Sequence, residues 1–137
     1  RQSLSYRKIL RCCMAQPFPN HPNLRGGFAP LQMECDVNDL VIEGEIPWEL
    51  NGSFYRNGPH PQYAPRGHYH WFGGDGMVHA FHIEDGRVAY RNRWVRTIKW
   101  QKEREAGRSL FSAFNPMDND ESVAGLETDG VANTNFI

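Results

Sequence analysis

Between Met77 and Trp94, two short runs rich in apolar and aromatic residues flank a single turn signal, Asp85-Gly86, and every second residue away from it is predominantly apolar. A period of two is the mark of a β-strand with two unlike faces. Asp-Gly between two such runs is the preferred chemistry of a type I′ hairpin turn. A two-residue turn fixes the register. It sets Ile83 opposite Val88, Phe81 opposite Tyr90, His79 opposite Asn92 and Met77 opposite Trp94, all on one face. That face is apolar except for His79 and Asn92, so this pair is predicted to be hydrogen-bonded, either as a structural link or as part of a site. Further strands are predicted at Leu40–Glu43, ended by Gly44 and Pro47, at Ser53–Arg56, entered from the Asn51-Gly52 turn, and from Val131 onward. Residues 98–111 are predicted to form one short helix, with Lys99 and Glu103 at i,i+4 spacing and Gly107 as its weak point.

Short strands between turn clusters, with little helix, indicate an all-β chain belonging to a sandwich, barrel or propeller. About five strands read better as part of a larger sheet system than as a closed domain. Residues 15–30, rich in Pro and Gly, read as an extended leader. Residues 1–25 are therefore separated as a leader, disordered or partly non-native, with Met14 as the expected start. Residues 26–137 form the β-rich unit.

Composition narrows the function classes. Leu, Ile, Val and Phe make up 29 of 137 residues, just above the level of roughly one-fifth below which chains stay disordered. The net charge of -1 gives no reason to expect nucleic acid as a partner. Cys12, Cys13 and Cys35 are odd in number and form no C-x-x-C, so a reducing, cytoplasmic setting is expected. No apolar run approaches the roughly 18 residues of a membrane span.

Local motifs supply no self-sufficient active site. His68-x-His70 and His79-x-x-His82 lack the further ligands of a metal centre. Gly73-Gly74-Asp75-Gly76 is followed by no Gly-Lys-Ser/Thr and reads as a tight turn. No catalytic or metal-ligating residue is assigned within the chain.

Three stretches carry a resemblance. They are Gly44–Pro47 with Leu50–Pro59, His70–His79, and Tyr90–Thr97, with a fainter echo in Gly130–Asn135. In combination and order they resemble the carotenoid cleavage oxygenases, which include the lignostilbene dioxygenases. The resemblance implies a seven-bladed β-propeller, of which this chain holds the first strands and a closing strand. It implies an Fe(II) held by four histidines, all beyond Ile137 in this alignment. It also implies a reaction in which dioxygen splits a conjugated carbon–carbon double bond of a carotenoid, apocarotenoid or stilbene-type substrate. Whether the complete protein makes peripheral membrane contact is left open.

Two residues are implied to line the substrate pocket, Phe72 and Phe114, the alternative being plain packing. Phe114 stands where the lignostilbene branch places a tyrosine that holds a phenol, which turns the expectation towards carotenoid-like chains. Gly73 replaces the family's usual Asp, which predicts a loosened turn. A second functional reading is a catalytically inactive propeller segment serving as a structural or binding remnant.

Overall fold

The computed structural model describes residues 16–128 and 130–135. Met14, Cys12 and Cys13 lie outside the described residues, as does the first part of the expected leader. Among these residues there are four strands, β1 (Asp36–Val37), β2 (Gly52–Pro59), β3 (Gly76–Glu84) and β4 (Arg87–Trp94). They form one antiparallel sheet in the order β1-β4-β3-β2.

The β3–β4 hairpin has the predicted register at every position, from Met77 opposite Trp94 to Glu84 opposite Arg87. Asp85 and Gly86 both take positive φ, 48° and 71°, as a type I′ turn requires. β2 runs longer than predicted, because Asn57, Gly58 and Pro59 continue pairing with Val78, Met77 and Gly76. One face of the sheet carries the aromatic row Phe54–Phe81–Tyr90, with ring centroids 6.2 Å and 4.9 Å apart.

Two predicted strands are corrected. Residues 40–43 form no strand: Val41 is almost fully exposed and a single bond, Leu40 N–H to the Val88 carbonyl, ties the segment to the sheet. The strand beside β4 is instead Asp36–Val37, held there by Asn92 and by the ion pairs of Asp36 with Arg91 and Arg93. The Asn92 amide donates to the Met33 carbonyl at 2.7 Å and its Oδ1 accepts from Cys35 N–H at 2.7 Å. Residues 130–135 also form no strand. They cross the end of β3, where Gly76 N–H donates to the Val131 carbonyl.

The helix, α1, spans Ile98–Ala106 and stops earlier than predicted. Thr97 caps its first turn by accepting from Trp100 N–H, and Gly107 ends it in the left-handed conformation with φ 69°. The described part of the leader is packed: Pro22–Leu24 makes a 3-10 turn, Leu24 is buried, and His21 meets the Tyr69 ring edge-on.

The core has two centres. Met77, Trp94 and Trp100 pack together beneath the sheet, with Leu31 against them. Leu110, Phe111 and Val123 pack beyond the helix. A buried charge network joins the two. Lys99 Nζ donates to Asp75 Oδ1 at 2.6 Å and to Glu103 Oε2 at 2.9 Å. Glu103 Oε1 accepts from the backbone N–H groups of Leu110 and Phe111, and Asp75 Oδ2 accepts from Gln62 N–H. Every oxygen of both carboxylates is thus used, which is what makes burial of three charges tolerable.

Candidate functional site

The turn predicted from Gly73-Gly74-Asp75-Gly76 is built from both sides. His70 Nδ1 accepts from Phe72 N–H at 3.3 Å and starts a single 3-10 turn, Trp71–Gly73. Asn133 closes it from the other side, its amide donating to the Phe72 carbonyl at 2.9 Å and the Gly74 carbonyl at 2.8 Å. Asp75 anchors the turn's exit in the Lys99 network. Gly76 is required by close approach: a Cβ there would lie 2.0 Å from the Ala132 carbonyl oxygen.

Gly73 does not loosen the turn. It donates its N–H to the His70 carbonyl at 2.8 Å and lies flat against residue 113. A Cβ at Gly73 would fall 2.2 Å from Ala113 Cβ, so an Asp would force the two segments apart. This contact brings together the two predicted pocket residues, each next in sequence to a member of the Gly73–Ala113 pair. Phe72 and Phe114 border one open cleft of about 340 Å³, walled also by Phe111, Pro116, Leu126 and Val131. Both rings are exposed, Phe72 by 60% and Phe114 by 54%. Large aromatic surface left open to water in a shared concavity is the usual form of an apolar ligand site.

Histidines flank the cleft. The His70 ring lies 4.8 Å from Phe72 and 6.2 Å from Phe114, edge-on to both, and His68 lies 6.4 Å from Phe114. Trp71 stacks on Phe72 at 5.4 Å and meets Phe28 edge-on at 5.3 Å. Sequence reading had placed two of these rings; Phe111, Leu126 and Val131 were not legible as lining, because nothing local in the sequence ties their segments to the turn at Phe72.

A second, smaller cleft of about 150 Å³ lies behind Trp71, bordered by Arg56, His60 and His79. His60 Nδ1 accepts from Leu31 N–H at 2.8 Å. In the neutral ring the proton therefore sits on Nε2, facing His79 Nε2 at 3.1 Å, and the His79 proton sits on Nδ1, facing the Tyr90 hydroxyl at 2.7 Å. Burial, helped by His79 and Arg56, pushes His60 down to about 4. Burial and Arg56 lower His79 as well. The pair His79 and Asn92, opposite each other in register, is thus satisfied through separate partners rather than by a mutual bond. Among the described residues no group of three or more His, Cys, Asp or Glu side chains is placed to hold a metal ion. The described residues do not form an iron centre by themselves.

Residues 28–137 match the family described as RPE65, retinal pigment epithelial membrane protein. The chain belongs to this family of carotenoid oxygenases. Isoeugenol monooxygenase of Pseudomonas nitroreducens is 46% identical over 125 residues, which are 90% of this chain and 26% of that protein. Lignostilbene-alpha,beta-dioxygenase isozyme III of Sphingomonas paucimobilis is 46% identical over 122 residues, 88% of this chain and 25% of that protein. Among solved structures, the lignostilbene dioxygenase of Pseudomonas brassicacearum superposes with a TM-score of 0.72 at 41% identity, covering 78% of this chain and 23% of the other. The chain thus spans about a quarter of the length of the relatives it matches. In this carotenoid oxygenase chain the cleft is built from two of the recognised motifs: the His70–His79 stretch supplies the turn and the Gly130–Asn135 stretch supplies its clamp.

Proposed function

We propose that the complete protein is a dioxygenase that cleaves a carbon–carbon double bond of a conjugated, largely apolar substrate. In the overall change one C=C and one O–O bond break, and two carbonyl groups form. The observation that carries this reading is the open cleft between Phe72 and Phe114, in a chain whose relatives carry the names of oxygenases, among them a resveratrol cleavage oxygenase and a carotenoid cleavage dioxygenase. Fe(II), the group expected to activate dioxygen, would be held by residues outside those described. The part of the reaction assigned to this chain is to seat the substrate's apolar end.

The seven-bladed propeller remains the architecture we infer for the whole. It is supported by the sheet's bare margins: among the described residues β2 pairs with β3 alone, and Phe54 and Trp48 are 59% and 80% exposed. An apolar surface of this kind calls for further packing partners. The odd number of cysteines and the lack of a C-x-x-C support a reducing, cytoplasmic location.

The test is expression of the complete reading frame, with iron content, dioxygen uptake and aldehyde formation measured on 4-hydroxystilbene, isoeugenol and an apocarotenal. Stoichiometric iron and cleavage of at least one substrate are expected. An iron-loaded protein that cleaves none of them would overturn the proposal. The second reading, an inactive segment, applies to the 137-residue chain alone, which is expected to bind no stoichiometric iron.

A further inference from the structure

Arg56 and His79 stand opposite each other in the β2–β3 register, so their side chains leave one face of the sheet as close neighbours. Both border the smaller cleft, together with His60. The other arginines of the sheet are paired, Arg87 with Asp39 and Arg91 and Arg93 with Asp36. Arg56 is exposed, and no acidic side chain among the described residues pairs with it or lines the cleft.

The two imidazoles add a second feature. His60 Nε2–H donates to His79 Nε2 at 3.1 Å. The far side of each ring is committed, His60 Nδ1 to Leu31 N–H and His79 Nδ1–H to the Tyr90 hydroxyl. A proton added to His79 therefore goes to Nε2, where it meets the His60 proton head-on. An oxyanion within reach of both nitrogens removes that conflict, because one oxygen accepts from both N–H groups. The groups that face His79 are Arg56 from β2, His60 from the loop after it, and Tyr90 from β4, while Asn92 is spent on Met33 and Cys35. All of them suit an anion.

The rest of the cleft is apolar. Phe28 and Trp71 wall it, edge-on to each other at 5.3 Å. An inorganic anion gains nothing from these rings, whereas an organic acid lays its body against them. The volume of about 150 Å³ lies well below the roughly 300 Å³ at which pockets for drug-sized ligands begin, so the body must be small.

We propose that this cleft binds a small organic monocarboxylate. Arg56 pairs with the carboxylate, His60 and His79 donate to one of its oxygens, and Phe28 and Trp71 pack its apolar body. Binding draws one proton from solvent onto His79 Nε2. The site does not depend on the double-bond cleavage proposed above.

The experiment is isothermal titration calorimetry of the complete, iron-loaded protein with sodium benzoate, in two buffers of different ionisation heat. Uptake of one proton is expected, with affinity falling roughly ten-fold for each pH unit above 7, where His79, lowered by burial and Arg56, is neutral before the ligand arrives. Arg56→Gln, at an exposed position, is expected to weaken binding roughly ten-fold or more. His79→Gln is expected to leave weak binding without proton uptake. Benzyl alcohol, which has the ring without the charge, and inorganic phosphate, which has the charge without the ring, are each expected to bind roughly ten-fold more weakly than benzoate or not at all. The proposal is overturned if benzoate binds no more tightly than benzyl alcohol, or if phosphate matches it. It is equally overturned if the wild type takes up no proton, or if affinity is unchanged in Arg56→Gln.

Discussion

Replacing Lys99 with Met tests how the two halves of the core are joined. The Lys99 ammonium is buried between Asp75 at 2.6 Å and Glu103 at 2.9 Å, with side-chain exposures of 8%, 2% and 1% for the three. Met fills most of the volume but leaves two carboxylates facing each other without a cation. Breaking a buried pair by removing one partner costs about 3–5 kcal/mol. The backbone donors that remain on Glu103 and Asp75 argue for the lower half of that range. For a unit of this size the melting temperature should fall by roughly 10–20 °C. The triple variant Lys99→Met, Asp75→Asn, Glu103→Gln removes every charge and should recover about half of the loss or more. The wild type has its own signature at high pH. Burial alone would lower the Lys99 pKa, but Asp75 and Glu103 outweigh it and the net shift is upward. A pKa raised on folding stabilises the native state fully below the unfolded value, about 10.4, and the contribution is lost as pH rises through the folded value. Urea unfolding followed by tryptophan fluorescence reads all three effects. A loss below about 1 kcal/mol in the single variant, or a triple variant no better than the single, would refute the network's role.

Other predictions concern the same scaffold. Because His60 is depressed from 6.5 to about 4, stability should be complete above pH 6.5 and decline as pH falls towards 4. After allowance for partial solvent screening the loss is about 1–2 kcal/mol; His60→Leu should flatten the profile, and an unchanged urea midpoint between pH 7 and 4.5 would contradict the assignment. Gly73→Ala should cost about 2 kcal/mol by overpacking against Ala113, and Ala113→Gly in the same chain should restore most of it; additive losses in a thermal melt would count against the contact. Asn92→Ala should cost about 2–3 kcal/mol and speed amide exchange at Cys35, which donates to its side chain; an unchanged exchange rate would show that β1 is held by other means.

What the sequence disclosed depended on how far apart the partners lie. The β3–β4 hairpin was fully readable, because Asp85-Gly86 is a local signal and a two-residue turn fixes the register of the runs on either side. The helix was readable in kind, and its end lies at Gly107, the position already marked as weak. The Lys99–Glu103 pair followed from spacing, but its third member, Asp75, did not, since 24 residues separate it from Lys99. Leu40–Glu43 looked like a strand by composition. The edge strand is held instead by side chains of β4: Asn92 reaches residues 57 and 59 positions away, and Arg91 and Arg93 pair with Asp36. Phe72 and Phe114 could be named only through family resemblance, because nothing in their own surroundings announces that they share a cleft.

The close approach of Gly73 to Ala113 bears on how such a cleft can diversify. The distance between the two aromatic walls is set by a methyl group resting on bare backbone, one residue away from each ring. Enlarging residue 73 or shrinking residue 113 would change the gauge of the cleft while leaving Phe72 and Phe114 untouched. Relatives could therefore drift between slender and bulky substrates by exchanging volume across this one contact, and positions 73 and 113 should be found to vary together.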